Sequence, residues 1–199
     1  MGQSFDCPSL SNKEYFMGTL NTYTGKRFDP LAPHAEGIDI RDIAHALSLM
    51  CRANGHFPTF YSVAQHSICC MKEAEARGYS LRVQLLCLLH DASEAYISDI
   101  TRPVKRVLAD YKEIENSLLS AIFAKWLTPP PSEEEMKRMA EIDDALLYYE
   151  FLHYMGERLF DEVPVLASKP IFAFEDFAKV EREFLEIFEG LEEKCACYF

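Results

Sequence analysis

The chain has 199 residues, 49% of them hydrophobic and 26% charged, and a formal net charge of −12 at pH 7. This is the composition of a folded domain with a sizeable core, and it excludes an intrinsically disordered chain. The acidic balance disfavours duplex nucleic acid and anionic membranes as partners, because both require a basic protein face. A small anionic substrate stays compatible with it, since a metal ion and a few local cations can dominate the field inside one cleft.

The cysteines and the hydrophobic runs indicate the compartment. The chain has seven cysteines, and four of these lie in apolar helical stretches, where a free thiol behaves as a small hydrophobic residue: Cys51, Cys69, Cys70 and Cys87. The first residues lack the basic region and apolar run of a signal peptide. No segment supplies the uncharged run of about 18 residues that a membrane span needs. We therefore expect a cytoplasmic protein.

The front of the chain is predicted to be irregular and the remainder helical. Residues 13–33 combine aromatic residues with a Thr-Gly-Lys sequence and two prolines, which predicts a short hairpin or loop. After Gly37 the hydrophobic period changes to 3.6 residues. Asp39 is placed to cap a first helix, which the Asn-Gly pair at 54–55 ends.

Two helices are predicted in the middle of the chain. Thr59 is expected to begin the second helix, which ends near Gly78. Ser80 is expected to begin the third, which is apolar through five consecutive residues and closes around Tyr96.

Three further helices are predicted in the second half. Pro103 can begin a fourth helix that ends near Trp126. After a run of three prolines, Ser132 forms a capping box with the glutamate three residues later, and the fifth helix runs to about Gly156. A last amphipathic helix places apolar residues three or four positions apart: Phe174, Phe177, Val180, Phe184 and Phe188.

The expected fold class is therefore all-α, in a single helical domain. Residues 1–36 are predicted to form an N-terminal loop or hairpin extension, and residues 37–156 the core of the domain. Residues 157–199 are predicted to form a loop and an amphipathic helix that packs on the core or at an interface.

Three separated segments carry residues that could share one divalent cation. His66 lies in the second predicted helix, the pair His90-Asp91 ends the apolar run of the third, and acidic residues stand at 141–144 in the fifth. A lone buried histidine is usually a satisfied core residue, but a His-Asp pair at the core is costly to desolvate unless a cation compensates. Imidazole and carboxylate ligands suit Zn, Mn, Fe or Co, and an ion with open positions can activate water. The pattern predicts a metallohydrolase.

Helix phase favours Asp143 over Asp144 as the acidic ligand of the fifth helix. Asp143 shares its face with apolar residues, including Leu146 and Leu147, so its carboxylate is expected to point inward. Asp144 shares its face with Glu141 and is expected to be more exposed to solvent. An inward carboxylate needs a partner, and we predict that Asp143 binds the ion.

Residues beside the predicted ligands suggest catalytic and anion-binding functions. Glu94 lies one helical turn after His90, where a carboxylate could orient or deprotonate water or protonate a leaving oxygen; a solvated helix-end glutamate is the alternative. Arg102, Lys105 and Arg106 concentrate positive charge in an acidic chain. For Arg106 a solvated surface position is the preferred interpretation.

Taken together, these residues resemble the HD-domain phosphohydrolases, in the branch of small bacterial 5′-deoxynucleotidases and phage relatives that act on deoxynucleoside triphosphates. The matching stretches are residues 61–67 and 90–105, and the helix at 143–150 fits a third motif. The resemblance covers about residues 38–155. It implies a mostly helical fold and one divalent ion (Mn, Co, Zn, Fe or Mg) held by His66, His90, Asp91 and Asp143.

The same resemblance implies the catalytic and phosphate-binding residues. Glu94 and Asp99 would manage protons, or Asp99 would hold the sugar of the ligand. Arg52 and Lys105 stand at phosphate-contact positions, and the planar fork of arginine suits that ligand. The family commonly has glycine where this chain has Ser98, and serine lacks the backbone freedom of glycine at positive φ.

The predicted function is metal-dependent hydrolysis of a nucleoside 5′-phosphate, with a deoxynucleotide as the expected substrate. The alternatives are a non-catalytic nucleotide sensor, a helical interaction protein with a structural ion, and, among enzymes, a cyclic-nucleotide phosphodiesterase. A structural zinc site is closed and usually has cysteine ligands. Because no cysteine stands at a zinc-motif spacing near His66 or His90, the structural-ion alternative is the least favoured.

Aromatic residues of the last two predicted helices predict self-association. Apolar residues of the last helix and aromatic residues at 148–154 exceed what one core of this size requires. Docking of the last helix on its own core is one interpretation. We predict a homodimer or a larger homo-oligomer with helices of the second half of the chain at the interface.

Overall fold

The structure is a computed structural model, and it describes residues 18–196. This part of the chain is mostly helical with one small hairpin, which confirms the all-α prediction. Its elements follow in this order: β1 (Leu20–Asn21), β2 (Arg27–Phe28), α1 (Ile40–Leu49), a 3₁₀ turn (Arg52–Gly55), α2 (Val63–Ala76), α3 (Leu81–Leu89), α4 (Glu94–Ile97), α5 (Arg102–Lys105), α6 (Ala109–Trp126), α7 (Glu133–Met155) and α8 (Phe177–Ala196).

The two strands form the hairpin that the sequence predicts at the front of the chain. β1 and β2 pair antiparallel, and Phe28 is buried in the main core. The backbone N–H of Thr24 in the turn donates a 2.6 Å hydrogen bond to Asp42 of α1, which ties the hairpin to the helices. Residues 13–17 of the predicted segment lie outside the described residues.

Local capping signals locate several helix ends correctly. The Asp39 side chain accepts a hydrogen bond from the backbone of Arg41 at the start of α1. Ser132 forms the predicted capping box with Glu135, and α7 ends at Gly156, whose φ of +69° is a conformation that favours glycine.

Several predicted helix boundaries are wrong. The first helix ends at Leu49, before the Asn-Gly pair at 54–55, which lies in the separate 3₁₀ turn. The second helix begins after Ser62 rather than at Thr59, because Ser62 and Gln65 form a capping box at its N-terminal end. The predicted third helix ends at Leu89, and turns separate it from α4. The predicted fourth helix is likewise broken, into α5 and α6. The break after Leu89 leaves both His90 and Asp91 in a turn.

The last helix packs on the core of its own chain. Val180, Phe184 and Phe188 of α8 are buried with residues of α1, α3 and α6 in the main hydrophobic cluster. Of the two interpretations of the C-terminal segment, docking on the core accounts for these three residues. Phe174 and Phe177 remain exposed.

A second apolar cluster places α7 against α2 and α3. Its buried members come from all three helices: Cys70, Ala74, Val83, Cys87, Ile142 and Leu146. Because Ile142 and Leu146 flank Asp143 in the chain, this packing holds Asp143 close to both predicted histidine ligands.

The loop between α7 and α8 is anchored by a buried carboxylate. Glu73 of α2 accepts hydrogen bonds from the backbone of Ala167 and Ser168, at 2.9 and 2.8 Å, and from Arg77 at 2.7 Å. Burial would raise the pKa of Glu73, but these hydrogen bonds outweigh it and hold the pKa below its usual value.

No helix within residues 18–196 is both long enough and apolar enough to cross a membrane.

Candidate metal centre

Four predicted ligands meet where α2, the end of α3, and α7 come together. His66 Nε2 lies 3.1 Å from Asp143 Oδ1 and 4.0 Å from Asp91 Oδ2. His90 Nε2 lies 3.3 Å from Asp91 Oδ2 and 3.8 Å from Asp143 Oδ1. Two imidazoles and two carboxylates thus converge on one point, with separations that suit a shared divalent ion with bonds of about 2.0–2.2 Å.

His90 presents an unpaired ring nitrogen to this point. Its Nδ1 lies 2.8 Å from the carbonyl oxygen of Cys87, and because a carbonyl only accepts, Nδ1 carries the proton. Nε2 is then the basic nitrogen. It is buried and has no hydrogen-bond partner among the described residues. A buried polar atom without a partner is rare in proteins, and a bound cation would satisfy it.

His66 is oriented by Glu150, a residue for which the sequence suggested no role in the site. Its Nδ1 lies 2.6 Å from Glu150 Oε1, and both side chains are fully buried. The carboxylate fixes the Nδ1–H tautomer and directs Nε2 toward the ion position, as in many carboxylate–histidine–metal arrangements. The signal available in the sequence was position: Glu150 follows Asp143 by seven residues, two turns on the same face, within an aromatic stretch.

Arg52 connects two of these carboxylates. Its guanidinium lies 3.2 Å from Glu150 Oε2 and 3.4 Å from Asp91 Oδ2. The backbone N–H of Arg52 donates to the carbonyl of Tyr61 at 2.8 Å, which fixes the 3₁₀ turn beside the start of α2. Arg52 therefore lies beside the predicted ligands, and it neutralises charge behind them.

The balance of charges favours a cation at the site. Burial and the Arg52 charge would lower the pKa of His66, but Cys70, Glu150 and Asp143 outweigh them and raise it well above its usual value. Burial would raise the pKa of Asp143, but His66 outweighs it and lowers that pKa. A proton on His66 Nε2 and a metal ion at the same nitrogen are alternatives, so metal affinity should fall at acid pH.

Cys70 also lies within reach of the site, which corrects the argument from cysteine spacing. Its Sγ is 3.4 Å from His66 Nε2, and the ligand atoms of His66, Cys70 and His90 lie within 4.8 Å of one another. Residues four apart on a helix share a face, so the relevant spacing was His66 to Cys70 and not a cysteine-pair motif. Burial raises the pKa of Cys70 to about 12. This group of three could hold a metal ion.

Glu94 and Asp99 stand beside the ligands with carboxyls that hold protons unusually well. Burial, and then the charges of Asp91 and Asp99, raise the pKa of Glu94 well above its usual value. Burial also raises the pKa of Asp99, against the opposing charge of Arg52. Glu94 Oε2 is buried without a hydrogen-bond partner in the described part of the chain. Both carboxyls line the cavity next to the ligands.

The cavity has a volume of about 420 Å³, and the predicted ligands Asp91 and Asp143 form part of its wall. Lys105 lines it with Nζ 3.9 Å from Glu94 Oε1, and its ammonium group is ion-paired to Glu115. Arg106 lies on the cavity lining as well, although its side chain is exposed.

Arg102 lies across the two aspartates of α7. Its guanidinium donates to Asp143 Oδ2 at 3.0 Å and to Asp144 Oδ1 at 2.7 Å. Asp144 is half-exposed and pairs with Arg102, whereas Asp143 lies 3.1 Å from His66, the difference that helix phase predicts. Arg102 is thus a cation at the mouth of the site, next to one predicted ligand.

Ser98 adopts a strained backbone conformation with a positive φ. Its φ and ψ are 72° and 155°, a region populated almost entirely by glycine. We expect Ser98→Gly to stabilise the protein by about 1–3 kcal/mol, measured by chemical denaturation. Ser120→Gly, at an exposed position inside α6, is the matched control and should destabilise by up to about 1 kcal/mol. Equal or lower stability of Ser98→Gly would contradict the strain.

Glu150→Gln tests the orientation of His66. The amide keeps the shape of the side chain but removes the charge that fixes the Nδ1–H tautomer, so metal affinity should fall about 10–100-fold. The measurement is a metal titration by calorimetry or chelator competition. Glu141→Gln, exposed on the same helix, should bind metal as the wild type does. Unchanged affinity in Glu150→Gln would show that this carboxylate does not support the ligand.

No protein-family model matches the chain. It is 38% identical over 121 residues to the uncharacterized protein YfdR of Escherichia coli strain K12, a match covering 61% of this chain and 65% of YfdR. It is 35% identical over 129 residues to an uncharacterized protein of Rhodobacter capsulatus, covering 62% of this chain and 65% of that protein. The chain therefore matches just under two thirds of the length of these relatives. Neither name states an activity, so function is argued from the site.

Proposed function

We propose that the chain is a divalent-metal-dependent phosphohydrolase that acts on nucleoside 5′-phosphates, with deoxynucleotides as its preferred substrates. The observation that carries the proposal is the buried, unpaired Nε2 of His90, which faces a second histidine and two aspartates at the wall of an open cavity. His66, His90, Asp91 and Asp143 would hold the ion, with the Cys70 sulfur beside them. A bound ion supplies Lewis-acid polarisation of a phosphoryl oxygen and lowers the pKa of a coordinated water.

Glu94 is the proposed acid–base group. Its raised pKa lets it carry a proton at a pH where ordinary carboxylates have lost theirs, which suits protonation of a leaving oxygen. The charge of Asp99 raises the pKa of Glu94 further. In the proposal the two carboxyl groups share the proton transfers of the reaction. Loss or transfer of the proton would take place at the carboxyl oxygens that line the cavity.

Cations that line the cavity support an anionic substrate. Arg52, Arg102 and Lys105 line the same cavity and each faces a carboxylate in the structure. A phosphoryl group would exchange these contacts for its own oxygens, and the guanidinium groups can bind it in a bidentate manner. Arg52 and Lys105 are the proposed phosphate contacts, and they would stabilise charge that develops during the reaction.

The choice of nucleotides as the substrate class rests on the resemblance of residues 61–67 and 90–105 to the HD-domain phosphohydrolases. A phosphate-release assay over nucleoside mono-, di- and triphosphates and cyclic nucleotides, run with Mn, Co, Zn and Mg in turn, tests it. The expected result is metal-dependent release from 5′-nucleotides. Nucleotide binding without release would identify a sensor, and cleavage confined to cyclic nucleotides would identify a phosphodiesterase.

We also propose self-association, through apolar residues that the fold leaves exposed near the start of α8. The buried residues of α8 belong to the core of the same chain, while Phe174, Phe177 and Ile171 are exposed. We expect a dimer or larger homo-oligomer that covers these residues. Light scattering should give at least twice the 22.9 kDa chain mass across micromolar concentrations, and Phe174→Ser with Phe177→Ser should reduce it. A monomer mass throughout that range would rule out the proposal.

A further inference from the structure

The sulfur of Cys70 lies among the nitrogen ligands of the candidate metal centre, and the proposed chemistry gives it no role. Its Sγ is 3.4 Å from His66 Nε2, and the ligand atoms of His66, Cys70 and His90 lie within 4.8 Å of one another. With metal–nitrogen and metal–sulfur bonds of about 2.1 and 2.3 Å, two ligands of one ion are roughly 3.1–3.6 Å apart for right to tetrahedral bond angles. The sulfur and the His66 nitrogen are therefore already spaced as ligands of one ion.

A hydrogen bond from the thiol to His66 could by itself produce this distance, but it does not account for His90. The Nε2 of His90 is buried and has no hydrogen-bond partner among residues 18–196. Its lone pair is directed at a position within reach of the Cys70 sulfur. A cation bound between the three residues satisfies that lone pair and uses the sulfur as well, which a thiol–imidazole hydrogen bond cannot do.

Cys70 approaches the ion position from the core of the protein. It is buried in the same apolar cluster as Val83 of α3 and Ile142 of α7. Asp91 and Asp143, in contrast, form part of the cavity wall. A ligand on the core side leaves the cavity side of the ion open to water and substrate, as a catalytic metal site requires.

Positive charge beside the centre compensates a third anionic ligand. A thiolate and two carboxylates together bring one negative charge more than a divalent ion neutralises. Asp91 Oδ2 lies 3.4 Å from the guanidinium of Arg52, and Asp143 Oδ2 lies 3.0 Å from that of Arg102. Because each carboxylate ligand has an arginine partner, ligation by Cys70 does not leave an uncompensated charge at the centre.

We propose that Cys70 is a fifth protein ligand of the ion, beside the two histidines and two aspartates, and that its sulfur makes the centre selective for zinc over magnesium and manganese. This inference rests on the metal centre of the proposed function. On coordination the S–H bond breaks, the proton passes to solvent, and a sulfur lone pair forms the bond to the ion. Thiolate is a soft ligand that favours zinc, whereas magnesium and manganese prefer oxygen ligands.

Cys70→Ala tests the bond by spectroscopy. The zinc-loaded wild type should show a zinc–sulfur distance of about 2.3 Å by X-ray absorption, and the cobalt-loaded protein a sulfur-to-cobalt charge-transfer band in the near ultraviolet. Cys70→Ala should lack both signals. Cys69→Ala, which removes the neighbouring thiol that accepts a hydrogen bond from Tyr61, is the matched control and should keep both. Cys195→Ser with Cys197→Ser, at the other closely spaced cysteines, should also keep both.

Metal competition measures the selectivity. Cys70→Ala should bind zinc about a hundredfold more weakly, roughly one ligand's share of the affinity of a four-ligand zinc site. Its manganese affinity should change by less than about threefold, because the oxygen and nitrogen ligands remain. Cys70→Ser keeps the size of the side chain but replaces sulfur by oxygen, so it should resemble the alanine variant. Circular dichroism of each metal-free variant checks the fold, and the wild-type spectra test the bond independently of any variant.

Phosphate release by the same metal-loaded proteins separates this inference from the proposed function. A zinc–sulfur bond that depends on Cys70, in a protein that releases no phosphate, would support the ligand and overturn hydrolysis. Phosphate release by a wild type without such a bond would overturn the Cys70 ligand alone. An unchanged ratio of zinc to manganese affinity in Cys70→Ala, or a charge-transfer band that persists in that variant, would also overturn it.

Discussion

Replacing His90 by alanine is expected to remove the metal ion and about a thousandfold or more of the hydrolytic rate. The variant loses the only ring nitrogen of the cluster that is buried and unpaired in the described residues, and leaves Asp91 and Asp143 facing a single imidazole. A metal ion contributes several kcal/mol of stabilisation to a developing charge, and each 1.4 kcal/mol is about tenfold in rate. Metal content by mass spectrometry and phosphate release together measure the effect.

The control for this experiment is His34→Ala, which removes an exposed histidine outside the site. That variant should retain both metal and rate. Asp91→Ala should behave like His90→Ala, because both residues belong to the same ligand set. Full turnover by a metal-free His90→Ala protein would contradict the metal-dependent mechanism.

Glu94→Gln is expected to lower kcat by about 10²–10⁴-fold while the protein keeps its metal ion. The amide preserves the size of the side chain, but it cannot donate the proton that the buried carboxyl holds. Because Glu94 is not one of the proposed ligands, metal content should match the wild type, which separates this variant from His90→Ala. Glu113→Gln, exposed on α6, should leave kcat unchanged.

The pH dependence gives a second measurement of the same group. The pKa of Glu94 is raised by burial and by neighbouring carboxylates, so its neutral form persists above the range of an ordinary glutamate. If the neutral form donates the proton, kcat falls as pH rises through that raised pKa. The residual rate of Glu94→Gln should not show this decline. A wild-type rate that rises over the same range would instead make Glu94 a general base.

Short-range signals in the sequence predicted the helical class and several helix ends correctly. Asp39, Ser132 and Gly156 act through hydrogen bonds and backbone conformations within one helical turn, so a single sequence carries the necessary information. The boundary at Thr59 was wrong for a related reason. Ser62 forms an equally local capping box with Gln65, which begins the helix three residues after Thr59.

The predicted ligands also followed from local pattern, because ionisable residues at the edge of apolar runs need a compensating charge. His66, His90, Asp91 and Asp143 were selected in this way, and the fold brings their side chains together. Helix phase was enough to separate Asp143 from Asp144, since the direction of a side chain around a helix depends only on its position in the turn.

Other features depend on contacts between distant segments. Glu150 orients His66 across 84 positions of the chain, and the guanidinium of Arg52 reaches Glu150 across 98. Cys70 could be placed beside its histidine from helical spacing, but its closeness to His90 depends on how α2 packs against α3. The lining of the cavity combines α7 with a turn and a loop. Local propensity describes which residues can form a helix and which face is apolar; the pairing of helices depends on how their side chains interlock, and that pairing assembles the site.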